Sequence, residues 1–98
     1  MHYLLIYELT TDYLERRAEY RNVHLDMARK AAASGDLVLG GALKDPADRA
    51  VLLFKSDSPD SAERFAENDP YVKNGLVTSW EVRPWMTVVG DDAAHPVT

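Results

Sequence analysis

The 98-residue chain has no cysteine, which excludes a disulfide framework, a thiolate nucleophile and any Cys-ligated metal. No stretch approaches the roughly 20 apolar residues that a membrane-spanning helix needs. There is no cluster of Lys and Arg either. The 11 basic residues are outnumbered by 16 acidic ones, giving a net charge of −5 and a pI near 5.0. Nucleic acid and anionic membranes are therefore not expected as partners. The opening MHYLLIYEL has no basic n-region and reaches Glu8 at once, so no secretory signal is expected and a cytoplasmic location is the default expectation. No two histidines stand at i,i+4 and no histidine cluster includes carboxylates, so no metal site is expected. LGGAL, residues 39–43, lacks the lysine and following helix of a phosphate-binding loop. No serine lies in a nucleophile-elbow context, and no cofactor is expected.

What is present is an ordinary globular composition, 46% hydrophobic and 28% charged. One domain over residues 1–89 is expected, followed by GDDAAHPVT, residues 90–98, which has no apolar pattern and is expected to be a flexible tail. YLLIYEL (3–9), DLVLGGAL (36–43), RAVLLFKS (49–56) and LVTSWEVRPWMTVV (76–89) are short, apolar and β-leaning. Pro84 places the last of them at a sheet edge or a bulge. Asp12 and Glu15 have capping-box spacing and begin a helix that runs to about Ser34, where Gly35 stops it. Ser58-Pro59 opens a second helix through about Glu67, and DPAD (45–48) turns the second strand onto the third. The order βαββαβ predicts an α+β fold, the ferredoxin-like plait, with both helices on one face of a four-stranded antiparallel sheet.

Two helices cover one face only, yet the first strand is apolar on both: Tyr3, Leu5, Tyr7 and Leu9 against Leu4 and Ile6. The third repeats this with Val51 and Leu53 against Leu52 and Phe54. A homodimer packed sheet against sheet would bury the second face. The competing expectation is a monomer whose open face binds a flat apolar ligand.

At 100° per residue, Leu14, Ala18, Leu25, Ala28 and Ala32 form the stripe of the first helix expected to be buried. Arg21 falls inside it, His24 and Arg17 lie along its edge, and Val23 points away. A boundary histidine with a satisfied hydrogen bond is the plain account of His24. Snorkelling over the helix face is the plain account of Arg17. Asp69-Pro70, with Gly75 five residues on, is how a short helix begins and ends, and capping alone explains Asp69. Tyr7, Tyr20 and Tyr71 read as core or rim aromatics, and the terminal His2 and His95 as free.

R-x-x-H-L (Arg21 to Leu25), the glycine at the end of the second strand (Gly41) and DPY-x-x-x-G (Asp69 to Gly75) together resemble the YciI-like, YCII-related family. The resemblance covers residues 3 to about 87, and DPY…G is its most specific element. It implies a dimeric α+β barrel of ferredoxin-like halves and an active-site His–Asp pair, His24 and Asp69. Gly41 and Tyr71 would line the substrate pocket. Where the family usually reads Gly-Pro after the second strand, this chain has Gly41-Ala42, which alters the pocket wall. The implied function is cofactor-independent general acid–base catalysis on a small oxygenated molecule, an elimination, isomerisation or hydrolysis. His24 would move the proton, Asp69 would orient it and Arg21 would hold a developing anion. The alternative is a non-catalytic dimeric module that binds a small ligand or assists a larger enzyme. Haem binding through His24 would need an apolar, porphyrin-sized cavity, against which two neighbouring arginines argue.

Overall fold

The computed structural model describes residues 1–97. Its elements are β1 (His2–Leu9), α1 (Tyr13–Ala33), β2 (Leu37–Ala42), β3 (Arg49–Lys55), α2 (Asp60–Asn68), α3 (Pro70–Lys73) and β4 (Val77–Trp85). The strands form one antiparallel sheet in the order β2-β3-β1-β4, the ferredoxin-like plait. β4 lies at an edge, where the missing amide of Pro84 costs no ladder bond. It is shorter than the expected 76–89. The chain leaves the sheet at Trp85, where Thr87 N donates back to Trp85 O at 3.1 Å.

The two central strands alternate, β1 from Tyr3 onward and β3 throughout. Tyr3, Leu5, Tyr7 and Leu9 on β1 and Ala50, Leu52 and Phe54 on β3 are buried under the helices. With Phe65, Ala66, Leu76 and Val77 they make the core. On the other face Leu4, Ile6, Val51 and Leu53 are only half-buried, and Leu39 is 73% exposed. Past β4 the chain doubles back. His95 N donates to Thr87 O at 2.9 Å, and Val97 N donates to Val88 O at 3.0 Å. Beneath this segment His2 is buried, its Nδ1 2.7 Å from Thr87 Oγ1, which corrects the reading of His2 as a free terminal residue.

Helix α1 follows its expected limits, and Gly35 ends it at φ 89°. Asp12 takes the N-cap position without a side-chain capping bond and instead lies 3.8 Å from Arg16. The helix face, however, is turned. Of the expected stripe, Leu14, Ala18, Arg21 and Ala32 are exposed, whereas Leu25 and Ala28 are half-buried as expected, beside Tyr13, Arg17, Tyr20, His24, Met27 and Ala31. The inner face is therefore turned by less than the 100° step of one residue. Leu14 is 56% exposed. The physical reason is that α1 faces a cavity and a row of aromatic rings rather than a dry core. Side chains with an apolar body and a polar tip suit that boundary better than alanine or leucine.

Candidate active site

At Asp69 the chain passes from α2 into α3, and the carboxylate is completely buried. Its Oδ1 accepts from the backbone N–H of Tyr71 at 2.9 Å, the N-cap bond that begins α3. Its Oδ2 accepts from the hydroxyl of Tyr7 on β1 at 2.8 Å. Nδ1 of His24 on α1 lies 2.9 Å from Oδ1 and 3.0 Å from Oδ2. A buried carboxylate already taking two bonds as acceptor leaves Nδ1 only the donor's role, so Nδ1 carries the hydrogen. Capping and pairing are therefore both true of Asp69, and one carboxylate draws donors from β1, α1 and α3.

The imidazole ring is held by packing as well. It stacks on Tyr71 at 4.1 Å between centroids and 16° between planes, and meets the edge of Phe65 at 6.1 Å. Tyr13 in turn meets Tyr71 edge-on at 5.6 Å, and the Arg17 guanidinium carbon lies 5.8 Å from the Tyr13 ring centre. His24 lies on the inner face of α1 with its side chain 16% exposed, and Nε2 makes no hydrogen bond among the described residues.

His24 opens onto a cavity of about 250 Å³ between α1 and strands β1, β2 and β3. Tyr7, Arg17, Arg21, Gly40, Gly41 and Tyr71 are among its walls. The structure thus gathers His24, Arg21, Gly41 and Tyr71 around one space, with Asp69 directly behind the imidazole. Gly41 contributes backbone only. A side chain there would point into open space, because Gly41 pairs with Val51 of the uncovered face. Its neighbour Gly40 has the opposite orientation, and a Cβ there would meet Leu52 Cγ at 3.3 Å. Gly40 and Tyr13 escaped the sequence reading, which took Tyr7 only as a core or rim aromatic. Tyr7 did carry a signal: a tyrosine on a central strand must find a partner for its buried hydroxyl.

Burial, and secondarily the Asp69 carboxylate, push the Tyr7 phenol well above the ordinary range. Burial also pushes Tyr71 up to about 12, with Tyr13 adding to the rise and Arg21 opposing it. In the unfolded chain Tyr71 ionises near 10.0, the ordinary value for tyrosine. Between the two values the unfolded state binds fewer protons, so stability falls as pH rises. Urea denaturation near pH 8 and near pH 11 is expected to show this loss, smaller by about 1 kcal/mol in Tyr71→Phe. An identical pH dependence in the variant would contradict it.

A four-stranded antiparallel sheet, helices on one face and a histidine–carboxylate pair beneath a small cavity define an α+β protein of the ferredoxin-like class. The YCII-related domain matches residues 1–86, and the chain belongs to that family. Among solved structures, the fold is similar to that of 5-chloro-2-hydroxyhydroquinone dehydrochlorinase (TftG) from Burkholderia phenoliruptrix, determined with 2,5-dihydroxybenzoquinone. That likeness has 23% identity and a TM-score of 0.73 over 89% of this chain and 95% of that one. A NIPSNAP family protein from Agrobacterium tumefaciens is similar at 17% identity and a TM-score of 0.58, over 95% of each chain. Both likenesses concern the fold. No curated protein sequence matches the chain. Among the described residues no helix is long and apolar enough to cross a membrane, and no group of His, Asp and Glu side chains could hold a metal ion.

Proposed function

We propose that the protein is a small-molecule enzyme in which His24 and Asp69 perform general acid–base chemistry on an oxygenated substrate held in the cavity. The observation that carries this reading is the Nδ1 to carboxylate contact of 2.9 Å, with the rest of the ring facing the cavity. With Nδ1 holding its hydrogen, the neutral ring presents Nε2 as the base. Nε2 takes a proton from a substrate hydroxyl or an acidic carbon, and the buried carboxylate stabilises the imidazolium that forms. Three donors already fix Asp69, so it need not reorganise as charge develops. The imidazolium then returns the proton to carbon, or gives it to solvent as a leaving group departs with its electron pair. Arg21 lies where it can stabilise negative charge appearing on the substrate oxygen.

A second copy of the chain completes the fold in this proposal, packed on the open face through Leu4, Ile6, Val51 and Leu53. The supporting observation is the row of half-buried aliphatic side chains that the helices do not reach.

The chlorinated hydroquinone and the dihydroxybenzoquinone named for the dehydrochlorinase structure supply a first test. 5-Chloro-2-hydroxyhydroquinone added to the wild-type protein is expected to release chloride. His24→Gln is expected to slow that release by about 10² to 10⁴, the usual contribution of a positioned proton-transfer group. Saturable binding of 2,5-dihydroxybenzoquinone with no chloride release from wild type would favour a binding module over this enzyme. Chloride release undiminished in His24→Gln would remove His24 from the mechanism.

A further inference from the structure

The cavity has a charge that the whole chain does not. The protein carries −5, yet the cavity is walled by Arg17 and Arg21 and by no carboxylate. The acid behind it, Asp69, is fully buried and turned to Tyr7, His24 and the Tyr71 amide. The two arginines are also uncommitted. Arg16, Arg29 and Arg49 each lie beside an acidic side chain and Arg16 donates to Asn74 O, whereas Arg17 and Arg21, like Arg64 and Arg83 away from the cavity, have no such acceptor among the described residues. They stand one helical turn apart on α1, so both guanidinia can reach the same opening. Arg17 is held over Tyr13, and Tyr13 meets Tyr71, which links the cationic rim to the ring stacked on His24. Snorkelling does not account for a guanidinium placed on the wall of a cavity.

Size narrows the ligand further. A cavity of 150 Å³ is known to hold a benzene ring. The space here, about 250 Å³, fits one ring with a few substituents. The aromatic rings of Tyr7, Tyr13 and Tyr71 supply flat walls for it.

We infer that the cavity takes a small, ring-sized anion whose carboxylate or phenolate oxygen is held at the mouth by Arg17 and Arg21. Its reactive part is thereby turned inward to His24. The inference rests on the acid–base reading for that orientation, but the charge preference stands on the arginines alone. It also assigns Arg17 a binding role. The guanidinia act on the ground-state ligand, so they set affinity and pose before any proton moves.

Benzoate and its neutral isostere benzamide are suitable probes, followed through the ring resonances of His24 and Tyr71. Benzoate is expected to bind saturably, at least about 10-fold more tightly than benzamide. Arg17→Gln/Arg21→Gln is expected to erase that preference, and Arg17→Lys/Arg21→Lys to keep part of it, with circular dichroism verifying that both variants fold. Equal binding of the two probes by wild type, saturable binding of neither, or an undiminished preference in the glutamine variant would overturn the inference.

Asp69→Asn separates this from the reading beneath it, because asparagine caps a helix about as well as aspartate. The Nδ1–H proton of His24 is expected far downfield when it donates to a carboxylate, and upfield of that position in Asp69→Asn. If it does not move while benzoate keeps its preference, the His–Asp reading fails and the anion site stands. If it moves while the two probes bind alike, the anion site alone fails.

Discussion

Asp69→Ala is expected to cost about 3–5 kcal/mol of folding stability, a loss comparable with the whole stability of many small domains. The substitution removes one small side chain but strands three donors. The Tyr7 hydroxyl, the His24 Nδ1–H and the Tyr71 amide all lose their acceptor. Each buried donor left unpaired costs about 1–3 kcal/mol. The Tyr71 amide is the cap bond itself, and its share is about 1 kcal/mol. Water entering from the cavity side offsets part of the sum at His24, but less at Tyr7, which is almost wholly buried. Asp69→Asn retains an acceptor and a cap and is expected to lose much less. Urea denaturation of the two variants beside wild type measures the difference. A loss under about 1 kcal/mol in Asp69→Ala would mean that the carboxylate is not the anchor its geometry indicates.

Ile6→Glu is expected to change the size of the particle. On β1 Ile6 stands between Val51 of β3 and Glu81 of β4, on the face the helices leave uncovered. A carboxylate there would be driven into the centre of the sheet–sheet contact, where an unpaired buried charge costs several kcal/mol. The rim of the same face alternates in sign. Glu8 and Glu81 lie beside Arg49 and Arg83, and Glu8 is 4.0 Å from Arg49. Such a pattern can meet its own rotated copy without repulsion. Light scattering is therefore expected to give wild type twice the chain mass of 11.0 kDa, and Ile6→Glu close to 11.0 kDa. Val23→Glu, on the outer side of α1, is expected to leave the mass at that of wild type. A wild-type mass of 11.0 kDa would remove the dimer, and the open face would then need another occupant.

The fold was legible because its signals are local and repeat. Short apolar, β-leaning runs marked β1 and β3, Pro84 marked an edge or a bulge, and Gly35 and Gly75 marked helix ends at φ 89° and 79°. The inner side of α1 was not legible. An aliphatic stripe points to a dry core, whereas Tyr13, Tyr20 and His24 turn inward to a half-wet one. The His24–Asp69 contact spans 45 residues, and no local pattern announces it. It was reached through the family motifs at both ends, while Asp69 read alone was only a cap. Tyr7 looked like core, and it is core. The hydroxyl it must satisfy there was the overlooked signal.

The cavity beneath α1 also bears on how long each copy of the protein survives. Part of the space between this helix and the central strands is unfilled by protein, and the helix rests instead on β2, α3 and the aromatic rings around His24. A molecule that fills the space supplies the packing that the sequence omits and binds only the docked form of the helix. Occupancy then holds α1 closed by mass action, at about 2.7 kcal/mol for ligand at 100 times its dissociation constant. Copies without such a molecule would lift the helix more often and expose its backbone to proteolysis, so the abundance of the protein would follow the supply of the ligand proposed above.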